Sequence, residues 1–319
     1  MALKLDRSAR KAIALAQIDA QAVLKRRAQR LKLRRQALRA HPAPVRLRIE
    51  RAARPGARRR EPSFTEAQTA GVLVAEGDSW FDYPFNDVLS ELEDRHGYDV
   101  EGVAHKGDPV ESMAYREGQL DAFARLVEKV IDRGTPLKAV LLSGGGNDIA
   151  GDEFAMLLDH ARSAAPGLND EVVSGVIGRR VRNAYIMILQ KITDVCVGKT
   201  GAPVPILVHG YDYAVPDGRG FMGGWGPLPG PWLEPGFRAK GFDKLRERVE
   251  MMADIIDRFN AMLRGVSAIF PHVHYLDLRK TLPNNPANYK DWWANELHPT
   301  EPGFRRVAAK FDAKLRALP

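Results

Sequence analysis

The chain has 319 residues, of which 45% are hydrophobic, a composition typical of a globular protein with a sizeable core. Its one cysteine, Cys196, excludes an internal disulfide and fits a reducing compartment. No apolar run approaches the ~18 residues that span a bilayer, and charged residues interrupt the N-terminus. We therefore expect no transmembrane segment and no signal peptide, and predict a cytoplasmic protein.

The net charge of +8 is distributed unevenly along the chain. Residues 1–60 contain 19 Lys and Arg but 3 acidic residues, whereas the remaining 259 residues contain 29 basic and 37 acidic ones. Good helix formers dominate residues 1–40, and two prolines at 42 and 44 should end that helix. Arg- and Pro-rich residues 54–62 are typical of a flexible linker. The sequence predicts a basic helical arm with a linker over 1–64 and a second domain over 65–319.

Several partners fit the basic arm, and the sequence leaves the choice among them open. Clustered Lys and Arg can neutralise nucleic-acid phosphates without sequence preference, and a basic amphipathic helix can bind an anionic membrane. An Arg- and Ala-rich start also imitates an organelle transit peptide. The remaining interpretations are a partner protein, or docking on the protein's own acidic body. The oligomeric state is left open as well.

From residue 65 onward, short apolar runs alternate with longer stretches of helical periodicity. We predict strands over residues 72–75, 98–104, 137–143, 204–209 and 273–278, and helices over 119–133, 172–195 and 242–263. Near-continuous apolar strands separated by helices indicate a parallel sheet covered on both faces. The predicted fold is therefore α/β, a doubly wound five-stranded parallel sheet flanked by helices, with ligands beyond the carboxyl ends of its strands.

Three polar residues follow predicted strands at that edge. Ser79, after Gly77, has the context of a nucleophile exposed on a tight turn, although a helix N-cap explains it equally simply. Asn147 follows three glycines and can donate an amide hydrogen to an oxyanion, or cap a turn. His298, fixed by Pro299, can act as a general base or be a structural histidine.

Together these residues resemble the SGNH hydrolases, the GDSL-like lipases and esterases. The matching blocks are Gly77-Asp78-Ser79, Gly107, Gly146-Asn147-Asp148 and His298-Pro299. The resemblance covers about residues 70–315 and implies a flavodoxin-like three-layer fold. It implies an acyl-serine mechanism with Ser79 as nucleophile and His298 as base, and an oxyanion hole formed by Ser79, Gly107 and Asn147. Neither a metal nor a cofactor is implied.

One position departs from the family pattern. The usual triad acid lies three residues before the histidine, where this chain has Asn295, and an Asp→Asn change at such a site cost one serine protease about 10⁴ in rate. Asn295 itself can orient His298, or a displaced carboxylate can do so; among Asp291, Glu296 and Asp277 we rank Asp291 first. The third interpretation is a catalytically weak or inactive binding protein, tethered to nucleic acid or an anionic membrane by its arm.

Aromatic residues near the predicted site suggest a substrate wall. Trp80 begins an aromatic stretch that can line a cleft or pack beneath the turn. A Gly-, Pro- and Trp-rich insertion over 211–240, with Trp225 and Trp232, is long enough to form a lid or substrate wall, with an oligomer contact and simple surface packing as the alternatives. Trp292 precedes the histidine and can face the same cleft. The substrate is expected to be a small-molecule, lipid or glycan ester, and the sequence is compatible with all three.

Overall fold

The computed structural model describes residues 29, 32–40, 45–50, 64–223 and 228–318. The chain divides into two units, the first comprising Met1–Ala70 with Glu93–Tyr98 and the second Gly71–Leu92 with Asp99–Pro319. The predicted helix before residue 29 and the predicted linker over 54–62 lie outside the described residues. No helix in the described part of the chain is long and apolar enough to cross a membrane.

The first unit contains a helix and a pair of strands. Helix α1 covers residues 32–40, and strand β1 (Val45–Glu50) pairs antiparallel with β2 (Phe64–Thr69). These two strands are absent from the sequence prediction, although apolar and charged residues alternate strictly through the β1 sequence VRLRIE, which is a strand pattern. The described part of the arm is helical over 32–40, as predicted, and extended over 45–50, where the sequence prediction contains no strand.

The second unit is built on one five-stranded sheet, as predicted. Its strands are β3 (Val72–Glu76), β4 (Asp99–Gly102), β5 (Leu137–Leu142), β8 (Ile206–His209) and β9 (Val273–Leu276). Their order is β4-β3-β5-β8-β9, and every neighbouring pair is parallel. All five residues of β3 are buried, as expected for a central strand covered on both faces.

Helices flank this sheet and fill the intervals between strands. They are α2 (Val88–His96), α3 (Val110–Tyr115), α4 (Gln119–Asp132), α5 (Asp170–Gly175), α6 (Arg182–Thr200), α7 (Glu234–Ala239), α8 (Leu245–Ser267), α9 (Tyr289–Trp292) and α10 (Glu301–Arg316). A π-helical turn at Val176–Val181 joins α5 to α6, and 3₁₀ turns cover Asp152–Leu157 and Phe221–Gly223. A small antiparallel pair, β6 (Leu158–Asp159) and β7 (Gly167–Leu168), lies between β5 and α5. The three predicted helices are confirmed, and Cys196 is buried in α6.

The strand order determines which loops meet at the carboxyl edge. Because β3 lies between β4 and β5, the loops that follow these strands and carry Ser79, Gly107 and Asn147 are neighbours. His298 follows the edge strand β9 and lies just before α10, so a long connection is needed to bring it to the centre of the edge.

Candidate active site

Ser79 lies on a tight turn directly after β3. At Gly77 a Cβ atom would come within 2.8 Å of both the Phe81 ring and Ser143 Cβ, so the backbone passes too close to its neighbours for any side chain. The amides of Phe81 and Asp82 both donate to the Asp78 carbonyl, at 3.0 and 3.1 Å, and close the turn. Ser79 itself is half-buried and faces a cavity.

The buried Asp78 carboxylate holds this turn in place. Its Oδ1 accepts from the Trp80 amide at 3.0 Å and from Ser143 Oγ at 2.8 Å, and its Oδ2 accepts from the Tyr211 hydroxyl. Asp78 is 2% exposed. Since Ser143 follows β5 and Tyr211 follows β8, one carboxylate ties the nucleophile's turn to two neighbouring loops.

His298 is in hydrogen-bonding contact with Ser79. Its Nε2 lies 2.7 Å from Ser79 Oγ, and its Nδ1 lies 3.0 Å from Asn295 Oδ1. That oxygen also accepts the backbone amides of Leu297 and His298, each at 2.9 Å, which identifies it as the acceptor end of the amide. The hydrogen is therefore on Nδ1, and Nε2 accepts from the Ser79 hydroxyl.

Burial decides the charge of this imidazole. Desolvation lowers the pKa of His298 from its ordinary 6.5 to about 3, so the ring is neutral at neutral pH. The Tyr83 ring stacks on it, with centroids 4.2 Å apart and an angle of 21° between the planes. The Tyr83 hydroxyl accepts from Asn295 Nδ2 at 3.0 Å, so Tyr83 contacts both the ring and the amide that orients it.

The three carboxylates considered as replacements for the triad acid all lie elsewhere, which corrects the ranking of Asp291 as the first of them. Asp291 is exposed on α9, and Asp277 is paired with Arg279 and Arg264. Glu296 is fully buried, and its carboxylate oxygens accept hydrogen bonds from backbone amides of residues 218–234 rather than from His298. Asn295 occupies the position that a triad acid would take.

Glu296 instead binds the backbone of the 211–240 insertion. Its Oε1 accepts from the amides of Gly218 and Glu234, each at 3.0 Å, and its Oε2 accepts from Trp232 and Leu233 at 2.7 and 2.8 Å. Burial raises the pKa of this carboxyl above its usual 4.5. Residues 293–300, the loop that carries His298 (the histidine loop), are thus joined to the insertion by four hydrogen bonds to one side chain. Sequence spacing does not indicate this arrangement.

The loops carrying Gly107 and Asn147 are tied together through the residue after Asn147. Asp148 Oδ2 accepts from the Val110 amide at 2.7 Å and Oδ1 from the Glu111 amide at 3.1 Å, at the start of α3. Burial raises the pKa of Asp148 to about 6. Asn147 Nδ2 donates to the Asp108 carbonyl at 3.2 Å, which leaves its second amide hydrogen available.

Ser79, Gly107, Asn147 and His298 line one cavity of about 350 Å³. Gly107 has φ +87°, a backbone conformation that favours glycine, and a Cβ there would meet no atom within 4 Å. The structure therefore brings together at one cavity the residues that the sequence resemblance predicts as nucleophile, base and oxyanion donors.

The four tryptophans predicted to form a substrate wall differ in their positions relative to this cavity. Trp232 lines the cavity, with its ring centroid 5.7 Å from that of His298. Trp80 is 3% exposed, with Nε1 donating to the Leu297 carbonyl at 3.0 Å, and it lines a smaller cavity of about 50 Å³ beside Ser79 rather than this one. The guanidinium of Arg306 lies over the Trp292 ring, which is not among the described cavity-lining residues. Trp225 lies outside the described residues.

Sequence reasoning misses the roles of two residues at the site. Tyr83 enters it only as part of an aromatic stretch, and its spacing from Ser79 gives no indication that it reaches His298. Glu296 enters it only as a candidate triad acid. Within the described residues, no three His, Cys, Asp or Glu side chains are grouped so as to hold a metal ion.

A comparison with protein families identifies the family of the chain. The family model of GDSL-like lipases and acylhydrolases matches residues 63–306. No curated protein sequence matches the chain.

The chain is also similar to solved structures at low sequence identity. An inhibitor-bound aryl esterase of M. smegmatis has 12% identity over 78% of this chain and 100% of that one, with a TM-score of 0.45. A carbohydrate acetylesterase from Sinorhizobium meliloti has 13% identity over 77% and 99%, with a TM-score of 0.41. A catalytic mutant of an acetylxylan esterase from Geobacillus stearothermophilus has 12% identity over 77% and 94%, with a TM-score of 0.40.

Proposed function

The chain belongs to the GDSL-like lipase/acylhydrolase family, and from that premise we propose that it is a serine esterase that cleaves carboxylic esters through an acyl-serine intermediate. The observation that carries the proposal is the contact of 2.7 Å between Ser79 Oγ and His298 Nε2, at a cavity that Gly107 and Asn147 also line. A nucleophile, a base and donors for an oxyanion are the parts that acyl transfer requires.

In the acylation step, Ser79 Oγ attacks the acyl carbonyl carbon while its proton passes to His298 Nε2. The ring is neutral beforehand because burial holds its pKa low, so it is ready to accept that proton. Collapse of the tetrahedral intermediate breaks the bond to the alcohol oxygen, which takes the proton from Nε2 as it leaves.

The negative charge on the carbonyl oxygen needs donors aimed at the place where it develops. In this proposal these are the backbone N–H groups of Ser79 and Gly107 and the free amide hydrogen of Asn147. Water then attacks the acyl-enzyme, giving its proton to His298, and releases the carboxylic acid together with the free Ser79 hydroxyl.

Asn295 has the role of orienting the base. Its Oδ1 accepts from Nδ1–H, which keeps the Nε2 lone pair directed at Ser79. An amide oxygen carries no full charge, so it stabilises the imidazolium that forms during acylation less than a carboxylate would. We therefore expect a working but slow Ser-His-Asn site.

A fluorophosphonate probe tests the proposal, because it reacts with activated serines. We expect labelling of the folded protein at neutral pH, located at Ser79 by peptide mass spectrometry, abolished in Ser79→Ala and strongly reduced in His298→Ala. Ser267→Ala, at the end of α8 and outside the residues that line either cavity beside Ser79, is the control and should keep a labelled Ser79.

The other outcome favours the alternative function. If the folded wild-type protein is not labelled and hydrolyses no ester, the proposal is wrong, and a binding protein tethered by its basic arm becomes the better interpretation. Asn295 in place of a carboxylate is the observation that favours this alternative.

A further inference from the structure

Two cavities of different size meet at Ser79. The outer one, of about 350 Å³, is the cavity described above, and an inner one has a volume of about 50 Å³. Both are lined by Ser79, Asn147 and Leu297. His298 and Gly107 line the outer cavity, and neither is among the residues that line the inner one.

The position of His298 assigns the two cavities to the two halves of an ester. The leaving alcohol must take a proton from His298 Nε2, so it has to lie on the side where that ring is exposed to the substrate, which is the outer cavity. The acyl substituent projects from the carbonyl carbon in a different direction from the leaving oxygen. We propose that the inner cavity binds the acyl substituent and restricts the enzyme to short-chain acyl esters; this inference rests on the proposed esterase function.

The walls of the inner cavity fit an apolar chain. They include Ile149, Ala214, Leu233, Met252, Ile256 and Phe259. Two carboxylates also border it, but both are already bonded within the fold. Asp78 accepts hydrogen bonds from the nucleophile's turn and its neighbours, and Asp212 accepts the amides of Tyr213, Lys280 and Leu282. Apart from Ser79 and Asn147, which line both cavities, the surface left for a ligand is therefore mostly apolar.

The volume sets the chain length. A water molecule needs about 10–15 Å³ of such space, so a cavity of about 50 Å³ holds roughly three to five water-sized groups. A methylene group is close to a water molecule in size, so acyl groups from acetyl to about butyryl fit, whereas an octanoyl chain does not. At Gly145 a Cβ would lie 2.4 Å from the Phe259 ring, so backbone and ring are already in contact at this wall.

A series of 4-nitrophenyl esters tests chain length because the leaving group stays constant. We expect kcat/KM to be similar for the acetate and the butyrate and at least about tenfold lower for the octanoate, since the methylenes beyond the cavity's capacity cannot be buried. Octanoate turnover equal to or faster than acetate turnover would overturn the proposal.

A matched pair of variants on α8 tests the cavity itself. Ile255 and Ile256 are both buried, at 0% and 4% exposure, but only Ile256 is among the described residues that line the inner cavity. Ile256→Ala should raise the octanoate-to-acetate ratio of kcat/KM by roughly fourfold for each methylene newly accommodated. Ile255→Ala should leave the ratio unchanged, and equal ratios in the two variants would count against an inner acyl site.

Two further variants cover the case in which truncation of α8 prevents folding. Met252→Ala enlarges the same cavity from another position, and Ala214→Leu fills it, which should lower butyrate turnover relative to acetate turnover. If Ala214→Leu leaves that ratio unchanged, the acyl group lies elsewhere.

Active-site titration with the fluorophosphonate separates this inference from the proposed function. If the protein is labelled at Ser79 but hydrolyses esters of all chain lengths equally well, the proposed esterase function stands and the assignment of the inner cavity to the acyl group is wrong. Protein that is not labelled contradicts both.

Discussion

The ring of Tyr83 stacks on the imidazole of His298, with centroids 4.2 Å apart, while its hydroxyl accepts a hydrogen bond from the amide that orients the same imidazole. Asn295 thereby has both ends of its amide occupied, Oδ1 by N–H groups of the histidine loop and Nδ2 by Tyr83. An amide in the reverse orientation would direct its NH₂ at three N–H donors. In the proposed mechanism Tyr83 is thus a positioning residue for His298.

Tyr83→Phe keeps the stacked ring and removes the acceptor of Asn295 Nδ2. We expect kcat to fall by about three- to tenfold with KM nearly unchanged, because a neutral hydrogen bond is worth about 1 kcal/mol and acts here through the base. Tyr83→Ala, which also loses the stack, should fall further. Steady-state kinetics on one ester measures the split between kcat and KM.

The control for this prediction is Tyr213→Phe. It removes a tyrosine hydroxyl that donates to Asp257 at 2.9 Å, outside the residues that line the catalytic cavity. Equal losses of kcat in the two variants would show that Tyr83 contributes only general stability.

Asn295→Asp introduces the carboxylate that the site lacks. A negative charge beside Nδ1 favours the imidazolium, so it should raise the pKa of His298 above its present value of about 3. Since catalysis requires the neutral ring, the acidic limb of the kcat/KM profile should move to higher pH. At pH 8 kcat should rise by at least about tenfold, because the carboxylate stabilises the imidazolium formed in acylation.

The pH profile needs a parallel measurement of folding. Below the ordinary pKa of 6.5 the unfolded chain protonates this imidazole while the native chain does not, so native stability falls as the pH drops from 6.5 toward 3. Circular dichroism at each pH separates unfolding from titration of the base. Identical acidic limbs in wild type and Asn295→Asp, with both folded, would contradict the prediction.

Glu296→Gln tests the link between the histidine loop and the insertion. The carboxylate now accepts hydrogen bonds from four backbone N–H groups. The glutamine NH₂ would face two of them, which would leave buried donors without partners. We expect a loss of about 2–4 kcal/mol in the free energy of unfolding, measured with urea. Glu250→Gln, which removes an exposed ion pair with Arg246, should change stability by less than about 0.5 kcal/mol.

The residues that follow strands are predictable from the sequence, because the ends of neighbouring parallel strands must meet at one edge. The pattern of strands and glycines alone is therefore enough to place Ser79 and Asn147 together, whereas Gly107 is singled out through the family resemblance. His298 requires the family resemblance as well, since it lies well after β9 and the length of that connection does not determine where it ends.

The side-chain directions at the same loops are not predictable in this way. Trp80 packs inward with its Nε1 donating to the carbonyl of Leu297, more than two hundred positions later in the chain, which spacing alone does not reveal. Glu296 is two residues from His298, but its carboxylate accepts hydrogen bonds from four backbone N–H groups that lie more than sixty positions earlier in the chain. Competition between distant hydrogen-bond partners, rather than local sequence, decides both outcomes.

Asn147→Ala removes the one side-chain donor to the proposed oxyanion. We expect kcat to fall by about 10²–10³ with little change in KM, because this hydrogen bond matters most when the charge has developed. Asn169→Ala is the control: it removes the N-cap of α5, whose side chain accepts from the Val172 amide at 3.0 Å, and should cost about 1 kcal/mol of stability without altering kcat. A loss below about fivefold for Asn147→Ala would remove this residue from the oxyanion hole.

Glu76, the last residue of β3, offers a test of stability rather than rate. Burial raises the pKa of its carboxyl from 4.5 to about 8, so the native protein keeps it protonated at neutral pH while the unfolded chain ionises it. Its stabilising contribution is complete below pH 4.5 and is lost as the pH rises toward 8, with a slope of up to about 1.4 kcal/mol per pH unit. Glu76→Gln keeps an oxygen for the Gly77 amide and cannot ionise, so this slope should disappear from urea unfolding curves recorded between pH 5 and about 7.5. Parallel curves for wild type and variant across that range would mean that the Glu76 carboxyl is already ionised in the folded protein.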